Sequence, residues 1–409
     1  MNVMLKNRIL LTIITTAITL SGCISPSLNN FYHYKASLQS ISEPPHLQII
    51  LTDYREVTNA LLTIEQSYSV YNYSPERRLA FTSAKLWIKR SSGESVKIST
   101  SANGIQLGLT GIPSDDIVLV PTDGLILTES RPYKGRMRIK KTGAKITFIN
   151  IIDLENYLPG VISSEMDESW PEKSLAAQAI SARTFAFFRI KQSKLKEAEI
   201  DYDLTDDIFS QVYRGEERTG PKTRKAIEDT KGIIMAYNGK IFNSLFHDTC
   251  GGYTESGELV FKLTPLPPLA GRKCGFCGHS KYTNWQARYT VKEIVVGLKL
   301  SKDAYIEEIK PLKTAPGGHI LELGLKIRGK SQEMVWEAQK FRIALGPNKL
   351  RSSMFKVTNN GDNFEFTGQG WGHAVGMCQE GTREMSKQEY CPREILEYFY
   401  PESRVVRIY

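Results

Sequence analysis

The sequence predicts an α+β protein in which β-rich regions flank a buried, alanine-rich helix that carries the Glu165 segment at its start. Two observations predict it. Between Leu47 and Ile152, short runs of β-branched and apolar residues such as Leu47–Leu51, Ser95–Ser99, Ile117–Val120 and Lys145–Ile149 alternate with turn-forming clusters. Ser91-Ser92-Gly93 and Pro121-Thr122-Asp123-Gly124 are examples of those clusters. After Ser169 the period changes: Leu175, Ala179, Ala182, Phe185 and Ala186 recur at helical spacing and put one apolar stripe into a core, where the alanines permit close packing.

In chain order, the first element is an export signal. Lys6 and Arg8 precede an apolar run of about 12 residues, Ile9 to Leu20, which ends in Leu20-Ser21-Gly22-Cys23. As a helix it spans about 18 Å, short of the roughly 30 Å of a hydrocarbon core. The small residues Ser21 and Gly22 suit a lipoprotein signal peptidase, and Cys23 is the expected site of lipidation. Residues 1–22 are then a leader, and residues 23–46, without sustained periodicity, a tether to the membrane. The expected location is the cell envelope or periplasm, outside the cytoplasm. Residues 47–149 form the β-rich N-terminal region and residues 150–409 the region that carries the chemistry.

Within that second region, Ser169-Trp170-Pro171-Glu172 reads as a capping box with proline in the first turn, opening a helix that runs to about Lys191. Mixed structure follows from Ala226 to Cys277, then strand-like segments between Thr283 and Leu345. A glycine-rich run near Gly368 and an amphipathic helix from Pro392 to Tyr400 complete the chain.

Composition excludes several classes. With 409 residues, 41% hydrophobic and 24% charged, the chain is neither disordered nor collagen-like nor a multi-span membrane protein, and it exceeds a single small binding module. Lys plus Arg number 53 against 44 Asp plus Glu, a formal charge of +9. That excess suits an anionic partner, or a mildly basic surface without further meaning.

Glu165 sits between an apolar strand or turn and the capped helix. Beside Ile162 and Met166 its charged form loses solvation, which raises its pKa and suits a general acid. The competing reading is an acidic residue near the helix's positive end, for which Asp167 and Glu168 are equally well placed. Five cysteines remain after Cys23, an odd number for an exported chain. His247, Cys250, Cys274 and Cys277 have the spacing of a closed structural zinc site, with His279 as a competing ligand; the alternative is a disulfide within this group. Cys378 and Cys391 pair or stay buried thiols. A zinc hydrolase would need an open metal position, and the cysteine-rich spacing argues against one.

The run from Asn150 to Ala186 resembles the signature of the stage II sporulation protein D and amidase-enhancer family. It carries Tyr157, Leu158, Gly160, Val161, Glu165 and Met166, then Trp170, Pro171, Leu175, Ala177, Gln178, Ala179, Ala182, Arg183, Thr184, Phe185 and Ala186. Three further blocks match in order: Gln211-Val212-Tyr213-Arg214-Gly215, Phe246 to Glu255, and Gly368 to Gln379. The resemblance covers roughly residues 130 to 401.

It implies a lytic transglycosylase that cuts glycan strands of peptidoglycan already denuded of stem peptides by an amidase. It also implies an alternative, since some members are described as non-catalytic enhancers of that amidase. By resemblance Glu165 takes the catalytic position, protonating the glycosidic oxygen and then accepting the proton of the sugar's C6 hydroxyl, so that a 1,6-anhydro ring closes. An ordinary glycosidase needs a second carboxylate, which the motif does not imply. A denuded strand is a polyanion, so Arg183 is expected to hold a sugar carboxylate, or else to pair with a neighbouring acid. Gln211, Tyr213, His373 and Gln379 are the further substrate-binding candidates, Tyr213 being equally a core aromatic and His373 a structural histidine. Glu165, Arg183 and parts of the second and last blocks are expected to share one cleft. Catalysis is expected to need no cofactor, and the partners are glycan, an amidase and a membrane reached through the lipid, with no nucleic acid. Departures from the family pattern are Ala374 for glycine, Cys378 for serine and Thr382 for alanine; Phe209 and Ser210 replace a metal-binding His-Cys pair, so that site does not carry over.

Overall fold

The computed structural model describes residues 40–73, 86–90, 95–129, 131–195, 201–216 and 219–409. The leader, Cys23 and most of the tether lie outside the described residues. The architecture is α+β, with eight α-helices among the described residues.

The β-rich half forms two sheets. A seven-stranded sheet runs in the order Leu204–Thr205, His46–Ile50, Lys145–Asp153, Arg136–Thr142, Asp116–Pro121, Tyr68–Asn72, Leu86–Arg90. A six-stranded sheet is centred on Asn59–Ile64 and Ser95–Ser101. Leu62 and Val96 face inward there, between exposed or part-exposed neighbours, as period-two alternation requires of a sheet with one wet face. Strand Lys145–Asp153 runs unbroken across position 150 and feeds α1 (Leu154–Glu165), so the region boundary expected there falls inside one strand. Asp153 caps α1 by accepting the N–H groups of Glu155 and Asn156 at 3.1 and 3.0 Å.

Glu165 is therefore the last residue of a helix. The expectation of a strand or turn before Glu165, with Glu165 at the start of the alanine-rich helix, does not hold: α2 (Glu172–Leu195) opens only after an intervening turn. Pro159 lies inside α1 without preventing the helix. The turn is made by Asp167, whose carboxylate accepts the Ser169 N–H at 2.8 Å, while the Pro171 carbonyl accepts from Ser174 and Leu175. Pro171 thus precedes the first helical residue.

α2 is buried on two sides. Leu175, Ala179, Ala182, Phe185 and Ala186 face the core that also holds both sheets and α1, as their spacing predicts. Ala177 and Ile180 face a second core with Ile233, Met235, Met377, Ile395 and Phe399. Against α2 pack α3 (Pro221–Asp229), α7 (Gln379–Lys387) and α8 (Pro392–Phe399), while the short α4 (Gly257–Phe261) lies against Leu269 and Val375.

A third core belongs to an insertion. Its chain enters by Trp285–Thr290 and leaves by Asn363–Gly368, paired antiparallel from Trp285 opposite Gly368. Between them lie α5 (Val291–Gly297), a three-stranded sheet of Ile306–Thr314, Ile320–Ile327 and Met334–Glu337, and α6 (Ala338–Ala344) around Leu323, Phe341 and Phe366. Because the two ends are neighbours, the insertion leaves the flanking segments beside each other.

Candidate active site

Three chain segments meet at Glu165. The Val212 N–H reaches Oε1 at 3.3 Å, and the Gln379 side-chain amide donates to Oε2 at 3.3 Å. Burial raises the pKa of Glu165, the two hydrogen bonds oppose the rise, and the negative charge of Asp248 adds to it; the net direction is upward. Its place at the C-terminal end of α1, where the helix dipole disfavours an anion, acts in the same direction.

Val212 is set by packing of its neighbours on α1. Gly160 lets the loop lie directly on the helix: a Cβ there would meet the Gly215 carbonyl oxygen at 2.1 Å and the Tyr213 ring at 2.8 Å. Tyr213 is buried against Tyr157 and Tyr133, and its hydroxyl donates to Asn150 Oδ1 at 2.9 Å. Gln211 is buried too, accepting the Tyr157 hydroxyl at 3.1 Å. These two expected sugar contacts therefore face the core, where they hold the loop whose amide touches Glu165.

Gln379 is set by the last block. Thr249 and Trp371 exchange backbone hydrogen bonds, Glu255 bridges to Val375, and Phe246–His247 pairs in parallel with Met377–Cys378. Close approach depends on glycine: at Gly376 (φ +74°) a Cβ would lie 2.0 Å from the Leu245 carbonyl oxygen. Ala374, one of the departures from the family pattern, holds φ 62°, a left-handed conformation that costs a non-glycine residue roughly 1 kcal/mol. His373 Nδ1 accepts the Val375 N–H at 3.1 Å, and its ring meets His247 at a tilt and Phe261 edge to face. Burial pushes His373 well below its ordinary value and His247 down to about 3, so both rings are neutral.

Arg183 is not in this site. It is fully buried and spends its guanidinium on Glu155, Nε to Oε1 and Nη2 to Oε2 at 2.8 Å each, and on Thr230 Oγ1 and the carbonyls of Ile227 and Ile233. The ion-pair alternative describes it, and its fork has nothing left for a sugar. Asp167 and Glu168 are also occupied elsewhere. Asp167 makes the turn before α2, and Glu168 caps α3 by accepting the Lys222 N–H at 2.6 Å and the Thr223 hydroxyl at 2.6 Å.

The sequence reading missed Asp248 as a site residue. Burial is the main cause that pushes its carboxyl up to about 6, the Thr249 hydroxyl bond and the cations Lys281 and Arg351 working against it. Arg351 also lies over the rings of Tyr282 and Trp371, at 4.8 and 5.7 Å, and these two rings meet edge to face at 4.5 Å. No local pattern marks this group, because Arg351 comes from the insertion.

The expected metal group is partly reassembled. Cys250, Cys274 and Cys277 do converge, but the fourth partner is Cys378, and all four sulfurs lie within 4.8 Å of one another. His247 instead bonds the Val375 carbonyl through Nδ1 at 3.1 Å, and His279 contacts Glu380 at 3.2 Å. Cys391 caps α8.

Residues 142–237 match the family described as Stage II sporulation protein, and residues 275–376, the whole insertion with a few residues on either side, match a domain of unknown function. An uncharacterized protein of Brachyspira hyodysenteriae is 27% identical over 365 residues, 89% of this chain and 94% of its own. The Stage II sporulation protein D of Bacillus subtilis is 28% identical over 267 residues, 62% of this chain and 74% of its own. The Amidase enhancer of Bacillus subtilis is 24% identical over 289 residues, 60% of this chain and 39% of its own.

Proposed function

We propose, from the premise that this chain belongs to the stage II sporulation protein D and amidase-enhancer family, that it is a lytic transglycosylase cutting denuded peptidoglycan glycan strands. The family supports a cell-wall-related role. The observation that carries the finer reading is Glu165: a carboxyl group with raised pKa, one oxygen bonded by Val212 and the other by Gln379, at the meeting point of three segments.

In this reading the protonated Glu165 gives its proton to the glycosidic oxygen as the bond to C1 breaks. The resulting carboxylate takes the proton of the same sugar's C6 hydroxyl, whose oxygen bonds to C1 and closes the 1,6-anhydro ring. The Val212 and Gln379 donors stabilise the carboxylate formed midway and hold it in place. The role first given to Arg183 passes to Lys281 and Arg351, whose charge suits the lactyl carboxylates of a denuded strand, with the rings of Tyr282 and Trp371 as faces for sugar. The chain is exported and held to a membrane through a lipid on Cys23.

The test incubates the purified chain with amidase-treated glycan strands and identifies product ends by mass spectrometry, beside Glu165→Gln. Anhydro ends that vanish in the variant support the reading. Reducing ends would turn attention to Asp248 as the second carboxylate a hydrolase needs. Binding without cleavage, unchanged by the substitution, would favour a glycan-binding enhancer of an amidase.

A further inference from the structure

We infer that Cys250, Cys274, Cys277 and Cys378 form a closed zinc site whose task is to clamp the segment carrying Gln379 against Glu165. The metal half stands on the cysteines alone; the clamping half rests on the reading of Glu165 as the acid.

Four buried sulfurs from three chain segments lie within 4.8 Å of one another, with Cys250 and Cys277 at 3.4 Å. Zinc at about 2.3 Å from each of four thiolates needs sulfurs about 3.8 Å apart, so small adjustments complete a tetrahedron. Backbone amides already point at the sulfur of Cys378, from Cys250 and Gly381 at 3.4 Å each, as donors that stabilise a thiolate. The turns around the ligands are glycine turns: Gly251, Gly252 and Gly275 hold φ of 73°, 108° and 76°. Gly381 keeps the space free, since a Cβ there would lie 3.0 Å from the Cys274 sulfur.

The region needs such a staple. Its strands Phe246–His247, Tyr253–Thr254, Arg272–Lys273 and Met377–Cys378 have two residues each, too short to hold a fold by ladder bonds. A disulfide would use two of the four sulfurs and leave two thiols facing it, whereas one zinc ion uses all four, displacing their protons. Cys378 stands where the family pattern has serine, and it immediately precedes Gln379. The metal thus ties the start of α7, and with it the donor to Glu165, to the segment of Cys250 and the knuckle of Cys274 and Cys277.

The experiment measures zinc in the purified full chain by plasma mass spectrometry, for wild type, Cys378→Ser and Cys391→Ser, and records absorption after exchange of the wild type into cobalt(II). Expected are about one zinc per chain in wild type and Cys391→Ser, at least a tenfold loss in Cys378→Ser, and the intense thiolate-to-cobalt bands of a tetrahedral sulfur site. Should Cys378→Ser fail to fold, the wild-type zinc content and cobalt spectrum decide alone. A metal-free wild type, a disulfide among the four, or iron with labile sulfide overturns the site. Stripping zinc by chelation should lower glycan cleavage at least tenfold, with recovery on adding zinc. Cleavage unchanged after zinc loss overturns the clamp, while zinc bound in a chain that never cleaves glycan counts against the proposed activity and leaves the metal site standing.

Discussion

Gln379 donates its side-chain amide to Glu165 across 214 positions of sequence, Nε2 to Oε2 at 3.3 Å. With the Val212 N–H on the other oxygen, the carboxyl group is gripped from two segments that share no secondary structure with it. Both bonds favour the charged form, and burial outweighs them.

Replacing Gln379 by Leu removes one of the two groups that lower the pKa. The pKa of Glu165 then rises further, so the alkaline limb of the cleavage profile moves to higher pH, and turnover falls by up to about 100-fold through lost positioning. A rate profile against pH reads both effects. A purely structural glutamine would leave the limb where it is.

Glu165→Gln should abolish anhydro-end formation, a loss of about 10²–10⁴-fold, and also stabilise the fold. A raised folded-state pKa means the folded chain holds this proton more tightly than the unfolded chain. Stability is therefore lost as pH rises above the ordinary value of 4.5 toward the folded-state value. The amide carries no charge to bury, so the variant should melt a few degrees higher at pH 7.5 and converge with wild type at pH 4. Thermal melts at both pH values check this, and equal melting at pH 7.5 would count against the raised pKa.

The Arg183–Glu155 pair ties α2 to α1, and Glu155 also accepts from Gly232 N–H and the Tyr409 hydroxyl. Arg183→Met leaves a carboxylate partly buried without its partner and should cost about 3–5 kcal/mol in urea unfolding. Adding Glu155→Leu should recover part of it. An arginine that served only the substrate would instead weaken glycan binding at unchanged stability.

Gly160→Ala drives a methyl group toward the Gly215 carbonyl and the Tyr213 ring. We expect a loss of about 1–3 kcal/mol, and a fall in cleavage because the Val212 amide moves with its loop. Urea unfolding and product analysis on the same preparation measure the two; wild-type values in both would mean the loop has slack.

What the sequence by itself determined was local: alternating strands in the first half, the inward stripe of α2, the segment around Glu165, and the convergence of Cys250, Cys274 and Cys277. The first two rest on periodicity, the Glu165 segment on its resemblance to the family signature, and the cysteines on their knuckle-like spacing. Tertiary structure decided the rest. Arg183 lies on a helix buried on both sides, and only the position of Glu155 on α1 settles where its charge goes. Tyr213 and Gln211 carry polar atoms that suit a sugar, yet Asn150 and Tyr157 take them into the core. Glu165 ends a helix because Asp153 starts one, with a proline inside that local propensity disfavours and packing overrides. Gln379 and Cys378 return beside Asp248 across an insertion whose two ends are neighbours, so their proximity depends on long-range strand pairing that no short window of residues can encode.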